Sequence, residues 1–240
     1  MTSKSSSQMN QVTDAETADS GWKGLYKVGG VAALTTLVLI PIQIIIFIAW
    51  PPPSTVIGFF TLFQNNWLLG LLNLDLLYML TTALMGLVIL ALYAALRRAS
   101  QSYMAIALTL GLVGTAVYFA SNTAFNMLSL SDQYAAATTD AQRSMFLAAG
   151  QAMLAIYQGT AFDVYYVLSA VALLIISAVM LRSNIFSKVT AYVGILMGVL
   201  MLVPSTAGTI GLYLALISLV PTAIWLILIT RRLFRLGQPG

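Results

Sequence analysis

The sequence predicts an all-α fold, a polytopic membrane helix bundle of six transmembrane helices with both termini cytoplasmic and an amphipathic outer helix before the fourth span. Three observations carry that expectation. Of the 240 residues, 60% are hydrophobic and only 8% charged, against roughly 25% charged in an average soluble domain, so the apolar surface exceeds what one compact core can hide and must face lipid. Apolar stretches near twenty residues recur along the chain, the length a helix rising about 1.5 Å per residue needs to cross a hydrocarbon core of about 30 Å. Lysine and arginine fall on one side of the resulting threading.

The elements follow in order. Met1 to Gly21 is rich in Ser, Thr and Gln with charges of both signs, the composition of a disordered tail. A secretory signal would open on basic residues and a short apolar stretch, so none is expected here. Val28 to Ala49 is the first span. Trp67 to Leu96, Tyr103 to Phe125, Gly159 to Leu181, Val189 to Val203 and Gly208 to Ile229 are the others, and the fifth is the shortest. Residues 22–236 then form one membrane domain, with 237–240 a short tail. Pro41 and Pro221 lie within spans and are expected to kink them.

Six spans with the N-terminus inside put Lys4, Lys23, Lys27, Arg97, Arg98, Arg182, Lys188, Arg231, Arg232 and Arg235 on the cytoplasmic side, leaving Arg143 outside. That asymmetry sets the orientation. The net charge of +4 is thereby a basic rim facing anionic headgroups and does not describe a nucleic-acid surface. Trp22, Tyr26, Tyr103, Tyr192 and Trp225 are expected at the inner interface, Trp50 and Trp67 at the outer one.

Two outer connections stand out. Pro51, Pro52 and Pro53 cannot continue a helix, and Val56, Ile57, Phe59, Phe60, Leu62 and Phe63 then predict a short interfacial helix that Gln64, Asn65 and Asn66 close. The second connection, Leu128 to Arg143, leads into a helix start at Thr139, where Gln142 completes a capping box. From Asp140 to Gln158, Met145, Phe146, Ala149, Met153, Ile156 and Tyr157 recur at helical spacing, predicting an amphipathic segment over the outer mouth or an extension of the fourth span, with a bend at Gly159.

Two acids fall within apolar stretches. Asp75 is 22 residues from Arg97 and Asp163 is 19 from Arg182, or about 33 and 28 Å along ideal helices, which places both near the outer boundary. Asn122, Asn126, Gln158 and Gln43 are expected at a similar level, together lining an outward-facing polar vestibule. Each acid is followed at three residues by a tyrosine, Tyr78 and Tyr166, on the same helix face. On a functional reading these acids take up a proton or engage a cation as a ligand arrives. On a packing reading they sit in wet headgroup territory and fix helix contacts, and their depth favours this one. Gly194 and Gly198 form a GxxxG pattern read as close packing within the subunit.

Enzyme chemistry has little to work with. The chain has no cysteine and no histidine, which removes thiolate nucleophiles, imidazole bases and most metal-ligand sets. Phosphate-binding loops and dense carboxylate clusters are absent from the sequence as well. No cofactor or metal is expected.

"WPPP" at Trp50 to Pro53, "NLDLLYML" at Asn73 to Leu80, "YFASNTAFNMLSLSDQYAAATTDAQR" at Tyr118 to Arg143, "YQGTAFDVYYVL" at Tyr157 to Leu168 and "RRLFRLG" at Arg231 to Gly237 resemble a bacterial family of six-span integral membrane proteins, a domain of unknown function. The resemblance implies a multi-pass protein of the bacterial inner membrane whose domain covers nearly the whole chain after the tail. It implies no activity and no catalytic residue.

The function expected is non-enzymatic binding or translocation of a small or lipid-like ligand through the outer vestibule, with Asp75, Tyr78, Asn122, Asn126, Gln158, Asp163, Tyr166 and Gln43 as candidate ligand contacts. A structural or accessory subunit docked to a membrane protein partner is the alternative. An enzyme acting on lipid ranks last for want of a nucleophile and base.

Overall fold

A computed structural model of the chain describes residues 21–238. The tail expected over Met1 to Gly21 lies outside them except for its last residue, and so do residues 239 and 240. The described residues form ten helices and no strand: α1 Lys23–Ala49, α2 Val56–Asn65, α3 Trp67–Asn73, α4 Leu76–Leu96, α5 Gln101–Ser121, α6 Ala124–Ala136, α7 Asp140–Tyr157, α8 Thr160–Arg182, α9 Lys188–Leu200 and α10 Gly208–Leu236.

Five stretches are long and apolar enough to cross a bilayer: Lys23–Ala49, Leu76–Leu96, Gln101–Ala136, Asp140–Arg182 and Gly208–Leu236. Their outward faces are apolar stripes at helical spacing. Val31, Leu34, Val38, Ile42 and Ile45 form one on α1, and Tyr213, Ile217, Val220 and Ile224 another on α10. Continuous exposed stripes of this kind belong in lipid. The chain is a membrane-embedded helical bundle.

Six helices close into a ring. α1 packs on α4, α4 on α5, α5 on α8, α8 on α9, α9 on α10, and α10 returns to α1, while a further contact joins α4 to α8. One end of the ring is solid. Ala33, Ala91, Leu92, Leu96, Met104, Ile176, Met180, Leu226, Ile229 and Leu233 fill it, and Gly29 and Gly30 of α1 let Leu233 and Phe234 of α10 approach the backbone. At this end Arg97 stacks over the Trp22 ring at 4.8 Å, and α10 finishes beside α1, where Gly237 meets Lys27. Helix directions gather the described lysines and arginines here, all but Arg143.

The other end carries a cap with its own core. Phe59, Phe60 and Phe63 of α2, Leu71 of α3, Met127 of α6, and Phe146, Leu147 and Met153 of α7 pack together. Ser131 on α6 donates to the carbonyl of Phe60 at 3.0 Å and accepts from Gln64. α2 is the short helix expected after the three prolines. α7 begins with the expected capping box, in which Thr139 accepts from the Gln142 amide and Gln142 bonds back to Thr139, and a turn at residues 158 and 159 separates it from α8.

Several sequence expectations change. The span expected from Trp67 to Leu96 is two helices, broken at Leu74 and Asp75. The span expected from Tyr103 to Phe125 ends at Ser121, and the connection after it is largely helical as α6. The fifth span is a 13-residue helix, about 20 Å long and shorter than a hydrocarbon core of about 30 Å. Trp225 is not an interfacial anchor: it is 1% exposed, inside the ring. A hydropathy window sees apolar length and cannot see where a helix breaks or which face it buries.

Candidate functional site

The site begins at the break between α3 and α4. Asp75 is the one described non-glycine residue with positive φ, at 66°, a left-handed conformation that aspartate tolerates better than branched or bulky residues. It ends α3 and starts α4, and the break frees carbonyls at the end of α3. Side chains from other helices satisfy them. Gln43 of α1 donates to the Leu72 carbonyl at 3.2 Å, and Asn122 donates to the Leu74 carbonyl at 2.9 Å. Asn122 also accepts from the Ala124 amide at 3.1 Å, so one side chain supports both the α3–α4 and the α5–α6 breaks. The Asp75 carboxylate accepts a hydrogen bond from the Tyr157 hydroxyl at the end of α7.

Below the break lies an aromatic cluster. Tyr78, Tyr118 and Tyr165 pack with ring centroids 5.3 Å apart for Tyr78 and Tyr118 and 4.8 Å for Tyr118 and Tyr165, and Phe162 and Tyr166 extend the group. The hydroxyls of Tyr78 and Tyr165 lie 3.1 Å apart in a hydrogen bond joining α4 to α8. The edge-to-face pair Tyr78–Tyr118 contributes on the order of 0.5–1.5 kcal/mol beyond burial.

The cluster forms one wall of a cavity of about 440 Å³ inside the ring, within the range of small-molecule sites. Aliphatic side chains make most of its surface, including Leu39, Ile40, Met85, Leu173, Leu216 and Leu219. Polar groups are spread over the wall: Thr36 and Gln43 on α1, Asp75, Tyr78, Thr81 and Thr82 at α4, Thr115 on α5, Tyr165, Tyr166 and Ser169 on α8, Ser205 before α10, and Ser218, Thr222 and Trp225 on α10. Thr36 Oγ1, Gln43 Oε1 and Trp225 Nε1 are buried with no hydrogen-bond partner among the described residues. Each unpaired group costs on the order of 1–3 kcal/mol, so the wall offers polar handles that a bound molecule can satisfy.

The eight expected contact residues separate into groups. Asp75, Tyr78, Tyr166 and Gln43 line the cavity. Asn122 stands next to it, committed to the breaks. Asn126 and Gln158 are exposed and do not line it. Asp163 lies outside, accepting from the Thr206 hydroxyl in the α9–α10 connection. The expected polar vestibule is thus a largely apolar cavity beneath a cap, and the two aspartates do not share it. Tyr118, Phe162 and Tyr165 join the site beyond the expected contacts, and Tyr157 reaches it from the amphipathic helix α7. Phe162, Tyr165 and Tyr166 sit at i, i+3 and i+4, a spacing that marks one helix face; Tyr118 and Tyr157 are placed by tertiary contacts alone.

No group of three or more metal-ligating side chains occurs among the described residues, and Asp75 is the one carboxylate that lines the cavity. The arrangement can enclose an apolar body and hydrogen-bond its polar part. No family model, no curated protein and no solved structure matches the chain.

Proposed function

We propose that the protein binds, and passes across or within the bilayer, a small or lipid-like amphiphile held in the cavity beneath the cap, without chemical conversion. In this reading the six ring helices are six spans of a bacterial inner-membrane protein, with both termini and the basic end cytoplasmic and the cap outside. The observation that carries the proposal is the pairing of aliphatic walls with Tyr78, Tyr165, Tyr166 and the unpartnered atoms Thr36 Oγ1, Gln43 Oε1 and Trp225 Nε1. A wholly apolar void would need no such groups, and a polar substrate would need more of them.

Access runs sideways from the lipid. α1 buries no residue beyond Thr36, and before Ser218 α10 buries only Gly211, which rests on its own Pro204. Ile44 and Leu216 line the cavity while 36% and 53% exposed. The two helices are tight at the basic end and loose towards the cap, where an acyl chain can slip between them.

Mass spectrometry of lipids and small molecules extracted from protein purified in mild detergent tests the proposal. The wild type is expected to carry one amphiphile enriched over bulk detergent and lipid, and Ala215→Phe, which fills the cavity, to lose it without loss of fold. Equal extracts from both proteins would sink the idea. Gly194 is covered by Ser177 and Trp225 and Gly198 by Leu174 of the same chain, which supports reading the GxxxG pattern as packing within the subunit.

A further inference from the structure

A second cleft, of about 390 Å³, opens at the basic end between the α8–α9 connection, the first turn of α9 and the last turns of α10. Arg231, Arg232 and Arg235 line it with Asn184, Ser187 and Thr190. No carboxylate lines it, and Asp75, Asp132, Asp140 and Asp163, the aspartates among the described residues, stand on elements at the capped end. Lys188 is occupied elsewhere, donating to the Leu181 carbonyl at the end of α8. Arg232 Nε is buried and has no partner among the described residues. Three guanidinium groups beside one another repel, and one nitrogen withdrawn from water is unsatisfied. Both costs are relieved by an anion with several acceptor oxygens.

We propose that this cleft holds the phosphate of an anionic glycerophospholipid, gripped by Arg231, Arg232 and Arg235, with its acyl chains lying along α10. Planar guanidinium forks match phosphate oxygens in pairs, and basic pockets between membrane helices suit such headgroups. The lipid's apolar half has its own surface: Ile217, Val220 and Ile224 are exposed at helical spacing on the face of α10 that carries Leu228, Arg231 and Arg235 of the cleft. A free phosphate would use the arginines and leave that stripe without a role. The site is separate from the central cavity and does not depend on what that cavity binds.

Native mass spectrometry of the full-length protein, mixed with phosphatidylglycerol or with phosphatidylcholine, tests the assignment. Phosphatidylglycerol is expected to be retained about tenfold better. Arg231→Gln with Arg235→Gln is expected to cut that retention about tenfold, while Arg97→Gln with Arg98→Gln, which removes the same charge from the same end, changes it less than about twofold. Equal losses in the two double variants would show a diffuse field and overturn the cleft. Equal retention of the two lipids overturns it as well. Displacement of bound phosphatidylglycerol by millimolar inorganic phosphate would assign the arginines to a free anion and overturn the lipid. Should the cleft variant fail to purify folded, the lipid comparison and the phosphate competition on the wild type decide alone.

Discussion

Tyr157 donates its phenolic hydrogen to Asp75 Oδ2, so the carboxylate of one residue holds the cap while its own backbone, at φ 66°, turns the chain from cap into ring. Side chain and main chain of Asp75 therefore carry separate tasks. Asp75→Asn keeps the left-handed turn and weakens the bond to Tyr157, while Asp75→Val loses both. We expect a stability loss of about 1–2 kcal/mol for the first and roughly 1–2 kcal/mol more for the second. Tyr157→Phe should match Asp75→Asn, and the double variant should cost little beyond either single change. Thermal unfolding in detergent measures all four, and additive losses would refute the pairing.

Asn122 joins two helix breaks, donating to one and accepting from the other. Asn122→Leu, of similar size, is expected to cost about 1–3 kcal/mol by leaving the Leu74 carbonyl and the Ala124 amide unpaired. Asn126→Leu, at an exposed position of α6, should stay within about 0.5 kcal/mol. Equal melting temperatures for the two variants would count against the assignment.

Gly194 sits where three ring helices meet. A methyl there would stand 2.3 Å from Ser177 Oγ and 2.8 Å from Trp225 Nε1, so Gly194→Ala is expected to destabilise by about 1–3 kcal/mol and to displace Trp225 from the cavity wall. Indole fluorescence should shift accordingly. Gly24→Ala, where nothing lies within 4 Å, should be neutral or stabilising by up to about 1 kcal/mol. A Gly194→Ala protein as stable as the wild type, with unshifted emission, would remove the close junction.

The sideways route to the cavity can be locked. The chain has no cysteine, so Ile44→Cys with Leu216→Cys provides a unique pair across the loose half of α1 and α10. A short bis-maleimide is expected to join them and to slow exchange of a labelled fatty acid by about tenfold or more. Exchange at the same rate after complete cross-linking would place the route elsewhere.

Orientation is tested with the same freedom from native thiols. Ser144→Cys on the cap helix α7 should react with a membrane-impermeant maleimide added to intact cells, and Gln238→Cys beyond α10 only after lysis. The reverse pattern would invert the proposed threading.

Apolar runs such as Val28 to Ala49 announce a membrane bundle by length alone, because a helix in lipid must satisfy its own backbone and present hydrocarbon outward. Likewise the capping box at Thr139 and Gln142 and the bend near Gly159 depend on neighbours a few residues away, and they are legible for that reason. The break at Asp75 is only half legible. Asn73 and Asp75 hint at a turn, yet the turn stands only because Gln43, Asn122 and Tyr157 arrive from three other helices to satisfy it. Asp75 and Asp163 read alike in sequence, and the fold sends one into the cavity and the other to Thr206. Local spacing decides which face a residue occupies. What that face meets depends on how the ring closes, and contacts between distant segments set that.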